Sequence, residues 1–196
     1  MTLHGIARQS KDLDLYIKPD EKDRLIALLG ELGYSDYYDQ LAYDRGWIYR
    51  AASPAGIVDV IWQMANRRAA VDEFWISRGP LAKLGWETVR LIPIEEMIWN
   101  RLYVLQKDRC DWPDILNLID VGQAAIDWGY LAGRLGDDLP LLRAVLEVYC
   151  WLRPGALRLP EWLQNRASCW QLPAAANEDR APLLDSRHWL RSAPEK

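Results

Sequence analysis

From Asp12 to Lys18 the chain alternates: Leu13, Leu15 and Ile17 hold one parity, Asp12, Asp14 and Tyr16 the other. That period of two predicts a half-buried strand over 12–18. Pro19 and Asp20 interrupt it and open a helix in which Leu25, Leu28, Leu29 and Leu32 recur at helical spacing, with Gly33 as its stop. Trp47–Ala51 and Ile57–Trp62 read as two strands joined by the turn "SPAG". Val71–Ile76 reads as a short helix, and Trp86–Ile92 as a further strand that Pro93 ends.

Beyond Pro93 the period changes to that of helices. Ile94–Gln106 carries Ile94, Ile98, Leu102 and Leu105 on one stripe. Asp111–Val121 follows, with Pro113 in its first turn, then Ala124–Leu135 and Leu139–Leu152. The last is apolar over much of its circumference, which predicts burial, and Pro154–Gly155 ends it. There are no internal repeats. The expected architecture is α/β: a small mixed sheet with helices against it over 1–92, a helical region over 93–170, and a loop or loose tail over 171–196.

Composition narrows the function classes. Half of the 196 residues are hydrophobic, the net charge is -4 and the pI about 5.3, so nothing draws the whole chain to nucleic acid or an anionic membrane. Cys110, Cys150 and Cys169 form no CxxC pair, which excludes a zinc ribbon and a disulfide framework. The only histidines are His4 and His188, so histidine-based metal binding is not expected. With neither a signal peptide nor an apolar run of membrane length, the chain reads as soluble and cytoplasmic. Eleven tryptophans against one phenylalanine carry no functional reading.

The carboxylates change the picture. Asp12 and Asp14 fall on one side of one strand, although aspartate is disfavoured in strands and like charges repel. Asp59 lies inside the apolar run "GIVDVIWQ", where Ile57 and Ile61 share its face and Val58, Val60 and Trp62 point the other way. An unpaired carboxylate there costs several kcal/mol unless something satisfies it. One solution gathers Asp12, Asp14 and Asp59 on neighbouring strands around a cation. Three hard oxygen donors without His or Cys favour Mg²⁺ or Mn²⁺, and such a cluster suits phosphoryl or nucleotidyl transfer. The other solution is a salt bridge from Asp59 to Arg50 or Arg45 across the sheet, with Asp12 and Asp14 as solvated surface charges.

A D-x-D strand followed by a lone aspartate on another strand resembles the nucleotidyltransferase superfamily, and within it the minimal bacterial group that includes AbiEii-type toxins. The resemblance covers roughly residues 4–120. "GIARQSKDLDLYIKP" is similar to the family's R-x-T-K-D-hydrophobic-D strand through Arg8, Lys11, Asp12 and Asp14, with Ser10 in place of threonine. "VDVIW" is similar to the strand of the third acid, which gives Asp59 that role. "PIEEMIWNRLYVLQKDRCDWPDILNLI" is similar to the helix pair that follows, with Arg101 at the usual lysine position and Asp111 and Asp114 at the two acids.

The resemblance implies a metal-dependent transfer of a nucleoside monophosphate from an NTP to a hydroxyl on RNA, protein or a small molecule. Asp12, Asp14 and Asp59 would be catalytic and metal-binding. Arg8, Ser10, Lys11 and Arg101 would contact the nucleotide, and a toxin-type member would have an antitoxin partner. The family's Gly-Gly or Gly-Ser turn upstream of the first acid has no counterpart here, where Gly5 is the sole glycine before Asp12. The core therefore reads as N-terminally short. That departure supports a second reading, a catalytically inactive nucleotidyltransferase-fold module for binding or regulation. A D-x-D glycosyltransferase using Mn²⁺ is a third reading, which the separate Asp59 disfavours.

Some charges have simpler readings. Asp111 and Asp114 would cap their helix, and Glu95 and Glu96 would favour the start of theirs through its dipole. Arg101 would either run its stem along the apolar stripe, turn to the acids, or pair with Asp111 or Asp114. Arg67 and Arg68 read as solvated loop charges, with a nucleic-acid backbone as the alternative partner.

Overall fold

In the computed structural model, residues 12–153 and 156–165 are described. They divide into two compact units at the Pro93–Ile94 boundary. Arg8, Ser10 and Lys11, the Pro154–Gly155 stop and the segment 171–196 lie outside the described residues.

The first unit is built on a four-stranded mixed sheet. Its strands are β1 (Asp12–Tyr16), β2 (Ser35–Asp36), β3 (Ile48–Ser53) and β4 (Gly56–Ile61), in the order β1-β4-β3-β2. β1 runs parallel to β4, while β3 is antiparallel to both β4 and β2. The expected "SPAG" turn is the β3–β4 hairpin, closed by Ser53 opposite Gly56. Gly56 sits at φ 144°, which L side chains rarely adopt.

Alternation sorts the sheet's two faces. On one, Val58, Val60, Trp62 and Ala51 form a core with Leu29, and Leu15, Ile17, Leu25, Tyr34 and Tyr49 pack around it. Helix α1 (Lys22–Glu31) supplies Leu25 and Leu29, so part of the stripe read from the sequence lies on this face, while Leu28 and Leu32 are exposed. The opposite face carries three rows set by register: Asp12, Ile57 and Ala52; Asp14, Asp59 and Arg50; Tyr16, Ile61 and Ile48. The third row is apolar, and Tyr16 stacks on Trp75 with ring centroids 5.6 Å apart.

Trp75 belongs to α2 (Glu73–Ser77), whose N-cap Asp72 accepts from the Phe74 amide at 2.9 Å. The strand expected at 86–92 is β6 (Glu87–Arg90), and it pairs with a strand the pattern did not reveal, β5 (Leu81–Leu84). The hairpin is exposed, so it lacks the alternating burial that marks strands in a sequence. Its base closes where Gly79 meets the Leu91 carbonyl; a Cβ on Gly79 would lie 1.7 Å from that oxygen.

The second unit is helical: α3 (Ile94–Leu102), α4 (Trp112–Gly122), α5 (Trp128–Leu135), α6 (Leu139–Leu152) and the short α7 (Glu161–Asn165). Helix α3 ends four residues earlier than the pattern predicts. After it, Leu105 and Cys110 bridge and the Asp111 amide donates to the Val104 carbonyl. α3 is buried nearly all round and packs on α4 and α5. Helix α6 is not buried round its circumference as its composition suggests: Leu142, Val145, Leu146 and Tyr149 form one buried stripe, while Val148, Trp151 and Leu152 are exposed. Several indoles combine apolar bulk with a donor. Trp62 and Trp112 donate to the Gly46 and Leu102 carbonyls, and Trp99 donates to the Tyr103 hydroxyl.

Candidate functional site

Three carboxylates share the face of the sheet opposite the Leu29 core. Asp14 on β1 lies directly opposite Asp59 on β4, and Asp12 sits two residues earlier on the same side of β1. The parallel pairing of two strands that each carry an acid in their apolar alternation produces this arrangement. Asp59 is 4% exposed, held between Ile57 and Ile61 on an inner strand, whereas β1 is an edge strand among the described residues and Asp12 and Asp14 are more open.

Asp59 is satisfied by protein. Arg50, its antiparallel partner on β3, donates from Nε to Oδ1 at 2.7 Å and from Nη2 to Oδ2 at 2.6 Å. The same Nη2 stands 3.8 Å from Oδ2 of Asp12. The salt bridge that the sequence offered as one of two solutions is therefore present, through Arg50. The hydrogen bond to Asp59 raises the Arg50 pKa above its already high ordinary value, so the guanidinium keeps its charge.

A layer of tyrosines fixes Arg50. The Tyr43 hydroxyl accepts from the Arg50 amide at 2.9 Å and donates to Asp36 Oδ1 at 2.8 Å. The guanidinium carbon of Arg50 stands 5.9 Å from the Tyr37 ring centre. Burial, opposed by the bond from the Arg50 amide, raises the Tyr43 pKa, with Asp36 adding to the shift. Arg45, the other arginine proposed for Asp59, instead binds Asp36 and lies over Tyr38.

The metal expectation meets this arrangement directly. The donor chemistry suits Mg²⁺ or Mn²⁺, since hard carboxylate oxygens on adjacent strands are what such ions take. The positions do not: both Asp59 oxygens are engaged by Arg50. Among the described residues no group of three or more His, Cys, Asp or Glu side chains is placed to hold an ion.

The remaining sequence candidates have partners of their own. Arg101, on α3 in the helical unit, has Nε 3.7 Å from Asp114 Oδ2, which is one of the pairings its position allowed. Asp111 occupies the N-cap position of α4 but makes no side-chain cap; Arg109 holds both its oxygens, at 3.0 and 2.9 Å. Arg67 is paired with both oxygens of Asp44, so it is not a free contact for nucleic acid.

Glu95 and Glu96 do more than favour a helix start. Glu95 accepts from the Asp127 amide at 2.7 Å, beside α5. Glu96, 0% exposed, pairs with Arg134 at 2.8 Å and accepts from Tyr130. Glu96 and Arg134 are 38 residues apart, so no local pattern announces them. The partner of Asp59 did have a signal: Arg50 and Asp59 each lie three residues outside the Ser53–Gly56 closing pair, so that turn alone places them opposite each other.

No protein-family model matches the chain, and neither a curated protein nor a solved structure does. No helix among the described residues is long and apolar enough to cross a membrane.

Proposed function

We propose that this chain is a nucleotidyltransferase-like protein that transfers a nucleoside monophosphate from an NTP to a hydroxyl acceptor on RNA, protein or a small molecule. The observation that supports this reading is the in-register pairing of Asp14 with Asp59, with Asp12 on the same face. Asp12, Asp14 and Asp59 are the residues that would hold Mg²⁺ or Mn²⁺. When bound, such an ion neutralises the triphosphate and activates the attacking hydroxyl. Arg8, Ser10 and Lys11, just before β1, are the chain's own means of orienting the phosphates. Asp59 would orient the acceptor in competition with Arg50, which already donates to both its oxygens. In a toxin-type member, an antitoxin protein would be the partner that restrains this activity.

One observation favours a second reading. The two-pronged grip of Arg50 on Asp59 suits a nucleotidyltransferase-fold module that binds or regulates without transferring. Incubation with labelled NTPs, Mg²⁺ or Mn²⁺ and total RNA or protein separates the two. Label transfer that Asp14→Asn abolishes supports the enzyme. Nucleotide binding without transfer under every metal and acceptor condition supports the module and overturns the enzyme.

A further inference from the structure

We infer that residues 37–46 form a strap that opens from the sheet as a unit, and that the Asp44–Arg67 ion pair is the latch that keeps it shut.

The strap runs between β2 and β3, and from 30 to 47 no residue is buried. No buried apolar side chain anchors it, and segments of that kind open locally while the rest of the fold stays intact. Its hold is polar. β2 pairs only with Ala51 and Ala52, so among the described residues the outer edge of β3 at Arg50 has no strand beside it. The strap covers that edge instead. The Tyr43 hydroxyl accepts from the Arg50 amide at 2.9 Å, and the Tyr37 ring centre stands 5.9 Å from the Arg50 guanidinium carbon. Opening gives up both contacts and bares an edge able to pair with an extended chain.

The latch crosses to a different turn. Nη2 of Arg67 lies 3.0 and 2.8 Å from the two oxygens of Asp44, and Oδ1 of Asp44 also accepts from the Gly46 amide at 2.8 Å. Gly46 leaves the guanidinium its place, since a Cβ there would collide with it. Arg67 itself sits at φ 62°, the one non-glycine residue with positive φ among the described residues. L residues avoid that region, so the turn holds an arginine where glycine would fit with less strain. The Gly46 carbonyl, which accepts from the Trp62 indole at 3.2 Å and the Gln63 amide at 2.8 Å, is the hinge where the strap joins the sheet. Both side chains of the latch are 49% exposed, so salt weakens it.

Amide hydrogen exchange resolved by NMR on the full chain tests this. The reporter is the Arg50 amide, which the strap protects through Tyr43; the controls are amides inside the β3–β4 ladder. Arg67→Gly removes the guanidinium and relieves the backbone at once. Asp44→Asn removes the charge but keeps an oxygen for the Gly46 amide. Circular dichroism confirms that each is folded. In both variants the Arg50 amide is expected to exchange faster by roughly two- to fivefold, the range of a surface ion pair converted to a ratio, with the ladder amides unchanged. Salt raised from about 0.02 to about 1 M should speed the same amide in the wild type and leave Arg67→Gly unaffected, a measurement that needs no substitution for its first arm. An Arg50 amide unmoved by both substitutions overturns the latch, as does one unmoved by salt in the wild type. A rise shared equally by the ladder amides overturns the strap as a unit that opens by itself.

Discussion

Arg50 and Asp59 face each other across the β3–β4 hairpin, with two charge-assisted hydrogen bonds of 2.7 and 2.6 Å and the carboxylate nearly sealed from water. Removing the guanidinium strands a buried charge, which costs more than the pair itself is worth. Arg50→Ala is expected to lower stability by about 2–3 kcal/mol, below the usual ~3–5 kcal/mol for a fully buried pair because Arg50 is partly exposed. Urea denaturation in the presence of a chelator measures it. A loss within the scatter of ordinary surface substitutions would show that Asp59 finds another partner.

Asp12 provides the contrast. It is the more open carboxylate and stands 3.8 Å from Arg50 Nη2, the range of a screened surface pair. Asp12→Asn should change stability by less than about 1 kcal/mol, with the loss of Arg50→Ala several times larger in the same denaturant series. Equal effects from the two substitutions would mean that Arg50 is anchored through Asp12 as much as through Asp59.

The acidic face was legible because it is made of local alternation. Period-two patterns placed Asp12 with Asp14 and gave Asp59 its face, and the four-residue turn fixed Arg50 opposite it. A small sheet with helices, and the helical run after Pro93, followed from the same patterns, whereas the parallel pairing of β1 with β4 did not. Long-range polar pairs were not legible. Glu96 reads as a first-turn carboxylate because its partners, Tyr130 and Arg134, come from a helix far along the chain. The β5–β6 hairpin escaped for the opposite reason: with neither face buried, nothing imposes alternation on it. In α6, hydrophobicity overstated burial, since Trp151 and Leu152 are apolar yet exposed.

Glu96 on α3 and Arg134 on α5 form an enclosed ion pair in the helical unit, at 2.8 Å, with Arg134 lying over the rings of Trp99 and Tyr130. Arg134→Met keeps much of the apolar stem but leaves Glu96 charged inside the protein. The expected loss is about 3–5 kcal/mol. Adding Glu96→Gln should recover part of it, because the amide carries no charge to strand. A double-mutant cycle in thermal or urea denaturation reads the coupling. Additive losses would mean that the two side chains contribute independently.

The Tyr130 phenol gives the helical unit an alkaline limit. Burial first, then the hydrogen bond to Glu96 and its charge, raise its pKa well above the ordinary value of 10.0, although Arg134 pulls the other way. Below that ordinary value the phenol is protonated in folded and unfolded chains alike, and its contribution to stability is fully present. As the pH rises past it, the unfolded chain gives up the proton while the folded chain retains it. The unfolded state then binds fewer protons, so stability falls with pH, by at most ~1.4 kcal/mol per pH unit for one tyrosine. Tyr43 and Tyr149 are also raised, chiefly by burial, and add to the slope. Urea denaturation from about pH 9.5 to about pH 11.5 should show wild type losing stability more steeply than Tyr130→Phe, which has no phenol to ionise. Tyr130→Phe starts lower, having lost the bond to Glu96, so the two curves converge as the pH rises. Parallel curves would show that Tyr130 ionises in the folded protein as it does in water, and that Glu96 and the surrounding core do not hold its proton.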